Sequence, residues 1–364
     1  MAFNEIIGQQ RVKSILKRAV ANNRLPHALL LYGPEGVGKT ATALALAKVL
    51  LCQQDMLYCG DCADCKRVSK LSHPDVTVIF PAPKEPKVED IKTIRESIVR
   101  NPYFRTQLWT KPEILIDTIR SLKKTVSMKS FENKGRVIIL LDAHLLRTEA
   151  GNSLLKLLEE PPAKVTLLLV TPKPNLLLST IESRCQRVRF DPLPWEEIQA
   201  ALIQRESVEA ERANVIARIS FGSYRRALEL LDDDISQKQE LLLEILRKLI
   251  ASDLDILLLV EKLVDRQDGK TIKELLELMG IWFRDAMIFH TLGNSDSTQQ
   301  KLINIEHIET LEKFVGAFES IDHERVLGEI EKAITMIDRN VNMNLALLQL
   351  FFALKRLLRR KQNV

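Results

Sequence analysis

The sequence predicts an α/β domain built on a parallel sheet, then a small helical domain and a larger all-helical one. Three observations predict it. From Ile6 to Phe190 strand and helix signals alternate, the order that builds a doubly wound sheet with helices as crossovers. The glycine-rich stretch GPEGVGKT, Gly33 to Thr40, falls between an apolar strand run and a helix-forming run. After RVRFDPLPWEEI the strand signals stop, and the residues beyond it have helical spacing.

In chain order, QRVKSILKRAVANN places its apolar residues at helical spacing, and HALLLYG is a short apolar run of buried-strand length. TATALALAKVLLC is rich in Ala and Leu and predicts a helix directly after the glycine loop. DVTVIF, RVIILLD and VTLLLVT predict further strands, and the proline-rich, charged segment Pro81 to Asp90 predicts a connection. GNSLLKLLEEPP predicts a helix stopped by Pro161 and Pro162, which lack the amide that continues a helix. These elements set the first domain at residues 1–190, with a cysteine module at about 52–65. Residues 191–234 then form a small helical domain ending in FGSYRRALELLD, and residues 235–364 the all-helical remainder. GNSDSTQQ interrupts that remainder and predicts an exposed loop; no internal repeat is visible.

The chain has 364 residues, 46% hydrophobic and 28% charged, the balance of a globular protein with sizeable cores. MAFNEIIGQQ lacks the basic start and apolar run of a signal peptide, and no apolar run reaches the ~20 residues of a membrane span. Those features predict a cytoplasmic protein with no membrane partner. A net charge of +5 permits contact with nucleic acid without demanding it. The tail LKRLLRRKQNV predicts an amphipathic last helix with a solvated basic end.

Four of the five cysteines, Cys52, Cys59, Cys62 and Cys65, follow the pattern C-x6-C-x2-C-x2-C. Two-residue gaps let neighbouring thiolates turn onto one ion, and four thiolates complete a tetrahedral shell. Gly60-Asp61 after Cys59 supplies a tight turn. The pattern predicts a structural Zn2+ with every coordination place taken by sulfur, whereas disulfides are rare in the cytosol. Cys185 stands apart and reads as a small core residue.

GPEGVGKT fits G-x-x-x-x-G-K-[ST] at every fixed position, in the strand-to-helix context that gives the pattern meaning. The backbone amides of Gly33, Pro34, Glu35, Gly36, Val37 and Gly38 (proline excepted) form the cradle for ATP or ADP phosphates. Lys39 would reach the β- and γ-phosphates, and the Thr40 hydroxyl would ligate Mg2+. Thr171 ends a strand where a hydroxyl can meet a phosphate, Arg184 follows a strand–helix unit on a surface, and Arg225 stands behind a Gly-Ser turn in the small helical domain.

The segments IIGQ, RLPHALLLYGPEGVGKT, the cysteine module, NSLLKLLEEPP, TIESRCQRVRF and GSYRRALELLD together resemble the bacterial DNA polymerase III clamp-loader subunits of the AAA+ class. The resemblance is strong from about Phe3 to Asp232 and extends to the helical remainder in character only. It implies an AAA+ domain, a lid domain and a helical collar that assembles a pentamer of gamma/tau, delta and delta-prime subunits, which loads a sliding clamp onto primed DNA and has no polymerase site in this chain. It also implies that Arg184 is a finger directed at a neighbour's ATP, that Arg225 is the sensor carried by the lid, and that Thr171 falls at the first sensor.

Motor subunits of that family carry an Asp-Glu pair three and two residues before the position of His144; Leu141 and Asp142 stand there. In that register the magnesium ligand is a leucine and Asp142 replaces the water-polarising glutamate. Shifted by one, Asp142 becomes the magnesium ligand and Ala143 replaces the catalytic acid. Either register leaves one role without its residue, and loss of a general base costs ~10²–10⁴ in rate. The chain is therefore expected to bind ATP or ADP but to hydrolyse it poorly, as a delta-prime type subunit. A chain with no long extension after the collar fits that type too. The alternative is an ATP-hydrolysing gamma/tau type motor; a branch-migration helicase is disfavoured by the cysteine module and the placement of SRC.

Overall fold

The computed structural model describes residues 3–54, 59–104, 106, 108–127, 134–231, 235–299, 301–304, 307–318 and 321–358. They divide into two compact units, Met1–Glu229 and Leu230–Val364.

The first unit runs α1 (Gln10–Ala21), β1 (Ala28–Tyr32), α2 (Lys39–Leu51), α3 (Ala63–Ser69), β2 (Val76–Ile79), α4 (Val88–Arg100), α5 (Ile116–Ser127), β3 (Arg136–Leu140), α6 (Thr148–Glu159), β4 (Val165–Thr171), α7 (Ser179–Glu182) and β5 (Gln186–Arg189). Three further helices complete it: α8 (Trp195–Glu206), α9 (Ala210–Ile219) and α10 (Tyr224–Glu229). The sheet order is β2-β3-β4-β1-β5, and every pairing is parallel. The expected α/β architecture is present, and it has a functional consequence. The connection leaving β1 crosses to the β2 edge, whereas the one leaving β4 goes to β5 on the other side, so the carboxyl ends of β1 and β4 open a crevice between diverging loops. Ligands of open parallel sheets bind at such a switch point.

Both sheet faces are covered over β1, β3 and β4, which is why those strands read as apolar runs, while edge strand β5 buries only Val188. Leu29, Leu31, Val137, Ile139, Leu168 and Val170 point to one face and pack with α1, α2, α3 and α4. Their alternate neighbours Leu30, Ile138, Leu140, Leu167 and Leu169 point to the other, with α5, α6, α7 and Cys185. Cys185 is thus the core residue the sequence predicts, and burial pushes its thiol up to about 12. The connection expected at Pro81 to Asp90 is shorter than its composition suggests. Ala82 pairs antiparallel with Glu113, and α4 already begins at Val88. Acidic Glu89 and Asp90 fall in the first turn of α4, where they complement the helix dipole, so the charge that marked a loop marks a helix start.

The second unit is helical: α11 (Ile235–Leu249), α12 (Asp253–Arg266), α13 (Gly269–Leu292), α14 (Asp296–Gln299), α15 (Ile308–Ala317), α16 (His323–Asp338) and α17 (Met343–Leu357). Its core is the 24-residue α13, whose Trp282 and Phe283 meet Phe314 of α15 edge-on at 6.1 and 5.8 Å. Buried Asp285 on α13 accepts from the amides of Ile303 and Asn304 at 2.9 and 2.8 Å and pins the segment after α14. The exposed loop expected at GNSDSTQQ holds for Gly293, Asn294 and Ser295, which are exposed between α13 and α14, and is corrected beyond them. Asp296–Gln299 is a helical turn with Thr298 fully buried, because Ser295 Oγ and Thr298 Oγ1 satisfy each other at 2.8 Å. The last helix α17 ends at Leu357, and the basic residues Arg359, Arg360 and Lys361 of the tail lie outside the described residues. No helix among the described residues is long and apolar enough to cross a membrane.

Candidate nucleotide site and cysteine cluster

The two sites predicted from sequence occupy opposite ends of one buried helix, α2. At its N-terminus Gly38 takes φ 96° as the N-cap and offers no side chain, which leaves the first helical amides to a ligand. Gly36, at φ 72°, is needed for a second reason. A Cβ there would lie 2.2 Å from Ser223 Oγ and 2.8 Å from the Arg225 amide, so only glycine lets α10 approach the loop this closely. The Tyr224 amide donates to Gly36 O at 3.0 Å, and Arg225 donates to Glu35 Oε2 at 2.9 Å. The small helical segment is therefore seated on the phosphate loop, and Arg225 lines the same cavity as Lys39, Thr40 and Asp142.

Lys39 is buried and folds back on its own loop, donating to Gly33 O at 2.8 Å and to Pro34 O. Burial pulls its ammonium down to about 8, against the opposing pull of Glu35 and Asp142. An anion at the loop would both restore that charge and draw the side chain off the carbonyls.

Across the cavity, β3 ends at Leu140 and the chain turns at Asp142, which adopts φ 48°. Leu141 lines the cavity but belongs to the core, and it presents no oxygen to a metal. His144 does not face the loop alone: its Nδ1 lies 3.2 Å from Thr171 Oγ1, which also accepts from the Lys173 amide at 3.1 Å. Thr171, fully buried at the end of β4, is thereby fixed beside the crevice. Arg184 is elsewhere. It follows α7 on the surface, where it pairs with Glu159 at 2.8 Å and donates to Thr180 O at 3.0 Å.

At the other end of α2, Cys52 is the C-cap. Its Sγ lies 3.7 Å from that of Cys59 and 3.9 Å from that of Cys62, and all four sulfurs, Cys65 included, lie within 4.8 Å of one another. A tetrahedral zinc with bonds of about 2.3 Å would hold its sulfurs about 3.8 Å apart. The amides of Cys59, Cys62 and Cys65 donate to Cys52, Cys59 and Cys62 Sγ at 3.3–3.5 Å, the support a thiolate shell needs. The donor set fits one metal ion. Residues 55–58, between the first two cysteines, lie outside the described residues.

Two features beside these sites are not visible in motif spacing. The turn Asn101–Phe104, after α4, enters the nucleotide cavity with Tyr103 and Phe104; its signal was the Asn-Pro pair. Beneath the cysteines, buried Asp64 of α3 lies 3.6 Å from His73, whose Nδ1 accepts from the Asp75 amide at 3.0 Å. Asp75 in turn lies 3.5 Å from Arg136 at the start of β3.

Comparison with known proteins places the chain in a family. The profile described as "DNA polymerase III, delta subunit" matches residues 8–194. DNA polymerase III subunit tau of Bacillus subtilis is 29% identical over 346 residues, covering 88% of this chain and 56% of that protein. DNA polymerase III subunit delta' of the same organism is 31% identical over 233 residues, covering 64% and 61%. The chain thus spans little more than half the length of these relatives. Among solved structures, a gamma subunit-related protein of DNA polymerase III from Thermotoga maritima overlaps 96% of this chain and 100% of its own at 16% identity, with a TM-score of 0.42, too loose a likeness to bear on the argument.

Proposed function

The chain belongs to the DNA polymerase III delta-subunit family, within the group that also holds tau, gamma and delta', and from that premise we propose that it acts as a delta-prime type clamp-loader subunit. In this reading it assembles with gamma/tau and delta subunits into a pentamer that loads a sliding clamp onto primed DNA. Residues 1–190 are the nucleotide domain, 191–234 the lid and 235–364 the collar. Cys52, Cys59, Cys62 and Cys65 hold one structural Zn2+.

One observation carries the delta-prime reading over the motor reading. The complete loop Gly33–Thr40 shares its cavity with a strand end that offers Leu141 and Asp142, where hydrolysis needs two acids. ATP or ADP with Mg2+ would be held by the loop amides, Lys39 and Thr40, with Thr171 and Arg225 at the cavity wall. Bound Mg2+ would neutralise phosphate charge. Asp142 alone would not both hold the metal and orient water.

Arg184 is the group this chain contributes to chemistry, and it acts in a neighbour's site. Its pairing with Glu159 supports this, because an exposed pair of this kind is worth ~0–1 kcal/mol and exchanges readily for a phosphate oxygen. A finger supplied in trans is worth about 10³–10⁵ in rate at the site it faces. The test is ATP turnover by the full chain alone and in a complex reconstituted with its partner subunits. The isolated chain is expected to be nearly inactive. Arg184→Ala should leave assembly intact and lower the clamp- and DNA-stimulated rate of the complex, with Arg184→Lys rescuing poorly because lysine lacks the planar fork. Brisk turnover by the isolated chain would replace this reading with the motor, and unchanged rates for both variants would remove the finger.

A further inference from the structure

The loop Gly33–Thr40 addresses only the phosphate tail of a nucleotide. The base needs a flat apolar slot within reach of the loop, with a main-chain group to meet its polar edge. Such a slot exists beside Gly38, between the amide of Ile7 and the ring of Tyr224, and the chain fills it with its own side chain. Tyr103 is 5% exposed, and a Cβ added at Gly38 would lie 3.0 Å from its ring. The ring meets Tyr224 edge-on at 5.2 Å, and its hydroxyl accepts from the Ile7 amide at 2.7 Å. Next to it, Phe104 lies under the Arg225 guanidinium at 5.8 Å.

The sequence builds this insert locally. Asn101 caps α4 and Pro102 takes the second place of a tight turn, in which the Phe104 amide donates to Asn101 O at 3.1 Å. The Asn101 side chain accepts from the Tyr103 amide at 3.0 Å, an Asx turn that aims the ring inward. The phosphate-loop cavity that Tyr103 and Phe104 also line has a volume of about 140 Å³, below the ~300–1,000 Å³ of ordinary small-molecule pockets.

We propose that Tyr103 is a resident occupant of the base side of the nucleotide pocket and decides what the site accepts: the folded chain takes a polyphosphate tail, and takes the base only when the Asn101–Phe104 turn swings out. The inference rests on the nucleotide reading of Gly33–Thr40 and adds to it a residue that selects against the base.

The experiment compares ATP with inorganic tripolyphosphate, both with Mg2+, on the full chain by calorimetric titration. In the parent chain the two should bind alike, since the adenosine contributes nothing net. Tyr103→Ala should tighten ATP by about 10- to 100-fold, the gain from releasing a competent state held at roughly 1–10%, and leave tripolyphosphate unchanged. Tyr103→Phe keeps the ring and loses only the bond to Ile7, so it should tighten ATP by less, about fivefold. Trp109, in the same segment with its indole N–H on Asp90 at 3.2 Å, supplies a readout in the unmutated chain. Saturating ATP should change its fluorescence, measured against Trp109→Phe, and tripolyphosphate should not. ATP binding more than about tenfold tighter than tripolyphosphate in the parent chain, or weakening on Tyr103→Ala because the ring is a stacking platform, overturns the proposal. Tripolyphosphate binding that survives Lys39→Ala, or no binding of either ligand, removes the nucleotide reading itself.

Discussion

The two ends of α2 hold two sites made of different material. The N-terminal end is a cradle of main-chain amides around Gly36 and Gly38, with one side chain, Lys39, turned inward. The C-terminal end is a closed cluster of four sulfurs that begins at Cys52. The helix dipole suits only the first of these. Anions are favoured at the start of a helix and disfavoured at its end, so thiolates grouped at a C-cap need a cation. Lys134 supplies part of the compensation from outside, donating to Cys52 O at 2.6 Å. The difference teaches that an amide cradle is built from the main chain alone, whereas four sulfurs drawn together at a helix C-terminus have the arrangement of a shell for a cation.

Four experiments can break or sharpen this contrast, and the largest effect belongs to the closed end. Cys62→Ala should reduce bound zinc from one equivalent to well below it, by elemental analysis. It should also lower the thermal midpoint on the order of 10 °C, since a structural zinc supplies several kcal/mol and each is worth about 2–4 °C in a domain of this size. Tripolyphosphate affinity should change little, because the sheet, not the cluster, holds the loop. If affinity collapses with the zinc, the two ends are one site.

At the open end, Lys39→Ala should weaken tripolyphosphate by roughly 10- to 100-fold in titration, the loss of one charge-assisted contact. Zinc content should stay at one equivalent.

A pH series isolates the same lysine. Its ammonium is pulled from 10.5 down to about 8 by burial. Between those values the unfolded chain keeps a proton that the folded chain has lost, so this group adds stability as pH rises through the window. Phosphate affinity moves the other way and falls as pH climbs past about 8. Denaturant midpoints and titrations on either side of that value should show both trends in the parent chain and neither in Lys39→Ala.

The smallest effect lies away from both ends. Glu159→Ala frees Arg184 and should change stability by less than about 1 kcal/mol in denaturant melts, as expected of an exposed pair. A larger loss would make Arg184 structural.

What was legible in the sequence was local. β1 to β4 lie in apolar runs, whereas β5, Gln-Arg-Val-Arg, does not; the loop is a fixed spacing of glycines and a lysine, and four of the cysteines lie within fourteen residues of each other. The rest depends on partners far apart in sequence. Tyr103 reaches Ile7 across 96 positions, and Arg225 reaches Glu35 across 190. No spacing rule links such residues; only the closed fold does. GNSDSTQQ was legible only in part, for another reason. Gly293, Asn294 and Ser295 are exposed as their composition suggests, but the Ser295 hydroxyl pairs with that of Thr298, which lets the threonine be buried in a helical turn.

The chain Asp64, His73, Asp75 and Arg136 has a consequence for the order of events during synthesis. Polypeptides emerge N-terminus first and domains fold as units. The cysteines at positions 52–65 leave the ribosome well before Arg136, the residue that closes their buried support at the edge of β3. For that interval the knuckle is a short peptide with nothing beneath it. The nascent chain therefore presents these thiols to the cell's metals and oxidants before the rest of the unit exists to cover them.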